Sequence, residues 1–216
     1  MNQKLSGLYV ITDDNLTPLV TIVDSVKKAL SGGARIVQLR DKTSNDETIE
    51  KTALSLQALC REFGALFVLN DKIDIAIKLS LDGLHIGRSD HAVFDDIRMK
   101  FKGILGVSCY GDIDLAYDFE GKGADYVAFG SFFNSSTKPS ANIVDLSVLS
   151  SAKVKLSIPI CAIGGINRLN LNSVMKHKPD MICAISDIWN SDSITHCTEE
   201  YANAFEMAKN EIRINI

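Results

Sequence analysis

The sequence predicts a single α/β domain over residues 1–216, folded as a closed (β/α)8 barrel of the TIM-barrel type. Three observations lead there. Eight short, apolar, β-branched runs recur along the chain. Each is followed by a stretch with helical spacing. No Gly-x-Gly-x-x-Gly follows the first run, as an open dinucleotide-binding sheet would require. Strict strand–helix alternation calls for a parallel sheet, and eight units suit closure, whereas doubly wound open sheets normally use five or six strands.

Taken in order, the strand-like runs are 8–12, 34–39, 65–69, 83–87, 104–109, 125–130, 159–163 and 181–186. Between the first two, Leu19, Ile22, Val23, Val26 and Leu30 form one apolar helical face; Ile49, Ala53, Leu56, Leu59, Cys60 and Phe63 form the next. Gly32-Gly33, Gly64, Gly103 and Gly123 stand at helix-to-strand turns, as C-terminal caps do. Asp13-Asp14, Asp145 and Asn167 are placed to start helices, and 194–212 reads as a long closing helix. Lys27-Lys28 belongs to a solvated face. His85, alternating inward with Gly83 and Gly87, reads as a packed histidine, and Trp189 as packing on the last helix.

Composition narrows the function. A net charge of -4 and a pI near 5.6 argue against a nucleic-acid surface, which needs a basic face. Any positive patch is therefore local and suited to a small anion. No apolar run approaches the ~20 residues of a membrane helix. Residues 1–7 lead almost at once into a strand pattern, leaving no room for a signal peptide, so a cytoplasmic protein is expected. Cys60, Cys109, Cys161, Cys183 and Cys197 are scattered without a C-x-x-C pair and read as reduced core residues. The histidines lack metal-ligand spacing.

The C-terminal ends of barrel strands carry active sites, and polar residues collect at those ends here. At the second, Gln38, Arg40 and Lys42 share one face while Leu39 points the other way and Asp41 lies between. An amide, a guanidinium fork and a mobile ammonium suit a multiply charged oxyanion. After the third run comes Asn70-Asp71, and after the fourth Arg88-Ser89-Asp90. Asp71 and Asp90 are candidate Mg²⁺ ligands, since that ion takes one or two carboxylates and completes its sphere with phosphate and water; each is also a plausible helix cap. Ser108 places a hydroxyl at the fifth strand end. The connection after the sixth run contains Ser135, Ser136, Thr137 and Lys138. Gly164-Gly165 after the seventh run and Ile185-Ser186 after the eighth fit the phosphate site that this fold builds from its last two loops.

With these motifs in chain order, the sequence resembles thiamine phosphate synthases. The shared segments are Leu8-Tyr9-Val10-Ile11-Thr12-Asp13, Gln38-Leu39-Arg40-Asp41-Lys42, Leu69-Asn70-Asp71, Gly83-Leu84-His85-Ile86-Gly87, Gly106-Val107-Ser108, Thr137-Lys138 and Ala162-Ile163-Gly164-Gly165-Ile166. The resemblance implies an enzyme that joins a hydroxymethylpyrimidine diphosphate to a thiazole phosphate, releasing pyrophosphate and thiamine phosphate. It implies that Gln38, Arg40, Lys42, Asn70, Ser108 and Lys138 hold the pyrimidine diphosphate, with Leu39 and Asp41 in the same segment. Arg40, Lys42, Lys138 and Ser108 would carry the chemistry, and Asp71 and Asp90 would bind Mg²⁺. Ser135, Ser136, Thr137, Gly165, Ile185 and Ser186 would hold the thiazole phosphate. A homodimer is the family's expectation.

The chain departs from the family pattern at four places: Asn134-Ser135 where Pro-Thr is frequent, Tyr110 for a histidine, Arg88 for a glutamine, and Asp187 for a small residue. A carboxylate beside a phosphate site opposes binding unless it turns outward. Asp187 is expected to do so because Ser186 would take the inward direction of the strand. Other readings stay open at this stage: a thiazole tautomerase, a non-catalytic barrel that binds thiazole phosphate or thiamine phosphate as a regulator, or another phosphate-handling barrel enzyme. The tautomerase would want a histidine at the position of Tyr110 and has no need of the two aspartates.

Overall fold

Side-chain alternation along eight parallel strands separates two cores. β1 (Gly7–Ile11), β2 (Ile36–Leu39), β3 (Leu66–Asn70), β4 (Gly83–Ile86), β5 (Ile104–Tyr110), β6 (Tyr126–Phe129), β7 (Ile160–Ala162) and β8 (Met181–Ala184) pair in sequence order, and β8 returns to β1 to close the sheet. The computed structural model describes residues 5–134 and 142–214, with side chains as far as residue 208. All eight expected runs coincide with strands to within two residues at either end.

Inward-facing Tyr9, Ile36, Leu66, Val68, Tyr126 and Met181 fill the barrel. Outward-facing neighbours such as Leu8, Val37, Phe67, Leu84, Val107 and Ile182 pack under the helices. Each large apolar side chain so buried contributes about 1.5–3 kcal/mol, which locks the register: a one-residue slip would exchange the two cores.

The covering elements are α1 (Ile22–Ser31), α2 (Asp46–Glu62), α3 (Ile73–Lys78), a 3-10 turn (Arg88–Val93) leading into α4 (Phe94–Lys100), α5 (Ile113–Gly121), α6 (Ser147–Lys155), α7 (Leu171–Met175), α8 (Ser186–Trp189) and α9 (Ile194–Ile214). Helix α2 shows the local logic. Asn45 caps its start by accepting from the Thr48 amide, Ile49, Ala53, Leu56 and Cys60 form its buried stripe, and Gly64 ends it at φ +65°. Asp145 and Asn167 do not cap as expected: α6 starts after Leu146 and α7 after Asn170, each without a side-chain cap, and the two side chains instead close the preceding turns by accepting from the Ser147 amide and from the Leu169 and Asn170 amides.

The cap expected at Asp13-Asp14 is corrected as well. Helix α1 begins at Ile22, well beyond Asp13, whose carboxylate instead closes a turn by accepting from the Asn15 and Leu16 amides. Its neighbour Asp14 accepts from the Lys42 amide and so ties the β1 loop to the β2 loop. All five cysteines are free and buried, and burial pushes the Cys60 and Cys109 thiols up to about 12. Among the described residues, no helix is long and apolar enough to cross a membrane.

Candidate active site at the C-terminal mouth of the barrel

On β2 the alternation delivers Gln38 into the barrel, where it is only 2% exposed; the strand ends at Leu39, and Arg40 follows at the rim. The Arg40 main chain is held to the β1 loop from both sides: its amide donates to Thr12 Oγ1 (3.0 Å), and that hydroxyl donates to the Arg40 carbonyl (3.4 Å). Neither Arg40 nor Lys42 forms an ion pair with a described residue, so both cations remain open to an anion at the mouth. Leu39, by contrast, faces the outer core. Asp41 turns its Oδ1 back on its own loop, accepting from Thr43 and Ser44. Burial pushes that carboxyl up, but the bonds from Ser44 and Thr43 outweigh it and hold the group below its ordinary value. A cavity of about 240 Å³ opens between the two loops, walled by Thr12, Asp14, Leu39, Arg40, Asp41 and Ser44.

The β3 and β4 ends supply the acidic half. Asp71 stands in the left-handed region at φ +62°, one of the few conformations that Asp tolerates better than most side chains. Its amide donates to the His85 carbonyl, which ties it to β4, and its Oδ2 accepts from Asn70 Nδ2 at 2.6 Å. Neither aspartate caps a helix: α3 follows Lys72 without a side-chain cap, and Asp90 lies within the 3-10 turn, with its Oδ2 accepting from Ser89 Oγ at 2.9 Å. One oxygen of each carboxylate is thus occupied by a neighbour, and neither aspartate forms an ion pair among the described residues. No cluster of three or more His, Cys, Asp or Glu that could hold a metal exists among the described residues. Two carboxylates without a third fit Mg²⁺, whose remaining ligands come from phosphate and water, and do not fit a closed structural site.

Strand β5 is irregular at the mouth: its pairing with β6 shifts between Ser108 and Tyr110, and Tyr110 adopts φ +59°. Bulges of this kind re-aim side chains beside active sites. Here the bulge stacks Tyr110 under Arg88, whose guanidinium carbon lies 4.3 Å from the ring centroid. Two of the four departures from the family pattern are therefore one cation–π pair. Ser108 Oγ lies 2.9 Å from His85 Nε2. His91 packs edge-on against Phe119, their ring centroids 4.7 Å apart, and burial, the largest influence on it, keeps its pKa below the usual value.

The β6–β8 side is built differently. At Gly165 (φ +63°) the space a side chain would take is filled by a neighbouring loop. A Cβ there would lie 2.3 Å from the Asn134 carbonyl and 2.7 Å from that of Phe133, and one on Gly164 would meet Ser131 Oγ at 2.1 Å. Phe132 and Phe133 amides donate to the Ile163 and Gly164 carbonyls, so the β6 and β7 loops form one packed unit. Ser186 is not the inward residue of a strand. β8 ends at Ala184, Ile185 precedes the helix, and Ser186 opens α8. Asp187 does turn outward, for that different reason. Its Oδ2 accepts from the Arg168 amide (3.0 Å), Arg168 Nε (3.3 Å) and Tyr201 OH (2.8 Å). Burial and the neighbouring Asp187 push the Tyr201 phenol far up, so it stays a donor. Ser135, Ser136, Thr137 and Lys138 lie outside the described residues.

Sequence reasoning missed Tyr9 and Tyr126, and read His85 as packing only. All three lie in the barrel, hydrogen-bonded between Gln38 and Ser108. A signal for this existed in Gly106: a Cβ there would sit 2.0 Å from Tyr126 Cζ, so only glycine leaves room for the phenol.

Comparison with known proteins gives a consistent picture. The family model described as "Thiamine monophosphate synthase" matches residues 8–188. A thiamine-phosphate synthase of Wolinella succinogenes is 40% identical over 189 residues, 87% of each chain. One from Nitrosospira multiformis is 37% identical over 206 residues, 94% of this chain and 87% of the relative. Among solved structures, a thiamine phosphate pyrophosphorylase from Pyrococcus furiosus superposes with a TM-score of 0.84 at 35% identity, covering 95% of this chain and 98% of the other. A 3-hexulose-6-phosphate synthase, at 16% identity and TM-score 0.68, shares the fold.

Proposed function

The chain belongs to the thiamine monophosphate synthase family, and from that premise we propose that it joins hydroxymethylpyrimidine diphosphate to hydroxyethylthiazole phosphate, forming thiamine phosphate and pyrophosphate. The observation that carries this reading is made at the mouth: among the described residues, Arg40 and Lys42 after β2 have no ion-pair partner, and neither do Asp71 and Asp90 at the β3 and β4 ends. Such a surface suits a diphosphate accompanied by a divalent cation and suits little else.

The chemistry needs few groups. The carbon–oxygen bond between the pyrimidine methylene and the diphosphate breaks, and its electron pair leaves with pyrophosphate. The ring amino group stabilises the resulting cation, and the thiazole nitrogen lone pair then forms the new carbon–nitrogen bond. No base is required, because that nitrogen carries no proton. Arg40 and Lys42, joined by Lys138, stabilise charge growing on the leaving group, the largest effect such a site supplies. Asn70 donates to Asp71 and so orients the carboxylate that, with Asp90, would hold Mg²⁺; the ion would neutralise charge on the diphosphate. Amides at the start of α8, with Ser186 and the β6 connection, receive the thiazole phosphate.

The test is incubation of the purified protein with both substrates and Mg²⁺, with thiamine phosphate measured as product. Formation dependent on both substrates supports the reading. A protein that binds thiamine phosphate yet forms none would be the regulatory barrel instead.

A further inference from the structure

Five polar side chains cross the barrel interior in single file. Gln38 Nε2 donates to Tyr9 OH (2.7 Å); Tyr9 OH meets Tyr126 OH (2.9 Å); Tyr126 OH meets His85 Nδ1 (2.9 Å); His85 Nε2 meets Ser108 Oγ (2.9 Å). Both phenols are buried, and burial pushes their pKa values well up, so each keeps its one proton. The two ends are Gln38 and Ser108, both assigned above to the pyrimidine.

We infer that this file is a positioning device that fixes the hydrogen-bond polarity of the pyrimidine pocket, and so selects an aminopyrimidine over its oxo counterpart. The argument is a proton count. Tyr9 accepts from Gln38, so its proton goes to the Tyr126 oxygen. Among the described residues, the remaining acceptor within reach of the Tyr126 proton is His85 Nδ1. Nδ1 is therefore unprotonated, and Nε2 carries the ring proton and donates to Ser108. Ser108 then directs its own proton away from His85, as a donor. Gln38 commits an amide proton to Tyr9, while no described residue donates to its Oε1.

Resting on the function proposed above, the pocket presents a donor at Ser108 for a ring nitrogen lone pair and an acceptor at Gln38 for an exocyclic amino group. An oxopyrimidine has a ring N–H and a carbonyl where the aminopyrimidine has a lone pair and an amino group. It would confront donor with donor and acceptor with acceptor. A buried polar mismatch discriminates more strongly than shape does. Tyr9, Tyr126 and His85 are positioning residues acting through Gln38 and Ser108. A flipped Gln38 amide would reverse every link, so the opposite polarity is a definite alternative.

The tautomer of His85 is readable without substrate, from long-range ¹H–¹⁵N correlations of its ring in labelled protein. The Nε2–H form is expected in the wild type. It should persist in Tyr9→Phe, where the Tyr126 proton still has His85 Nδ1 as its acceptor, and give way to a mixture in Tyr126→Phe. In coupling assays Tyr126→Phe should raise KM for the pyrimidine diphosphate about tenfold, the scale of one hydrogen bond, with KM for thiazole phosphate unchanged. An Nδ1–H form in the wild type overturns the inference, as do equal changes in both KM values. A reversed tautomer with coupling intact removes this inference alone. The Nε2–H form without coupling removes the proposed function and, with it, the assignment of the ligand.

Discussion

The two halves of the barrel mouth use opposite materials. From β2 to β5 the site is made of side chains: Arg40 and Lys42 without ion-pair partners among the described residues, Asp71 and Asp90 each with one oxygen engaged, and Ser108 at the end of a buried file of hydrogen bonds. From β6 to β8 it is made of backbone, with Gly164 and Gly165 consumed in loop-on-loop packing and Asp187 anchored to α9. The side-chain half holds its charges apart from internal partners, ready for a charged ligand. The backbone half holds its shape, so that main-chain amides keep their directions. The difference teaches that, on the proposed reading, a diphosphate would be met by charge and a monophosphate by preorganised geometry.

The largest expected effect tests the charged half. Asp71→Asn or Asp90→Asn should lower turnover by two orders of magnitude or more in steady-state assays, the scale on which metal and electrostatic stabilisation of a leaving group operates. Both changes lie at the mouth, so circular dichroism should stay as in the wild type. Full activity in the double variant, or coupling indifferent to a chelator, would end the distinction between the halves.

A smaller effect tests the backbone half. Asp187→Ala leaves the Tyr201 hydroxyl and the Arg168 amide without their acceptor, and Tyr201 is fully buried. An orphaned buried donor costs about 1–3 kcal/mol, so urea unfolding should show a loss of about 2 kcal/mol. Because the carboxylate points away from the mouth, thiazole-phosphate affinity should change by less than ~1 kcal/mol. A large gain in affinity with no loss of stability would instead place Asp187 in the pocket as a repulsive group.

The same contrast decides what the sequence reveals. Strands were legible to within two residues because burial on both faces writes continuous apolar runs. The opposite facings of Gln38 and Leu39 were legible because alternation along β2 sets them, but β2 ends at Leu39, so alternation does not extend to Arg40 and Lys42. The loop packed on Gly165 was not legible, since a glycine reports only that something comes close, and the carbonyls of Phe133 and Asn134 do so here. Asp187 turned outward as expected, but strand alternation had no part in it, because β8 ends at Ala184. Nor does spacing show that Tyr110 and Arg88 stack on each other, or that Tyr9, Tyr126 and His85 meet inside the barrel. Those contacts join residues distant in sequence, and closure of the barrel creates them.

Calorimetric titration of Arg40→Lys with each ligand separately tests the division of labour most directly. Lysine keeps the charge but loses the planar fork, and a charge-assisted bond is worth about 1.5–3 kcal/mol. The account predicts that pyrimidine diphosphate, with Mg²⁺ present, binds about tenfold or more weakly while thiazole phosphate binds as to the wild type. Equal losses for both ligands, or none for the diphosphate, would contradict it.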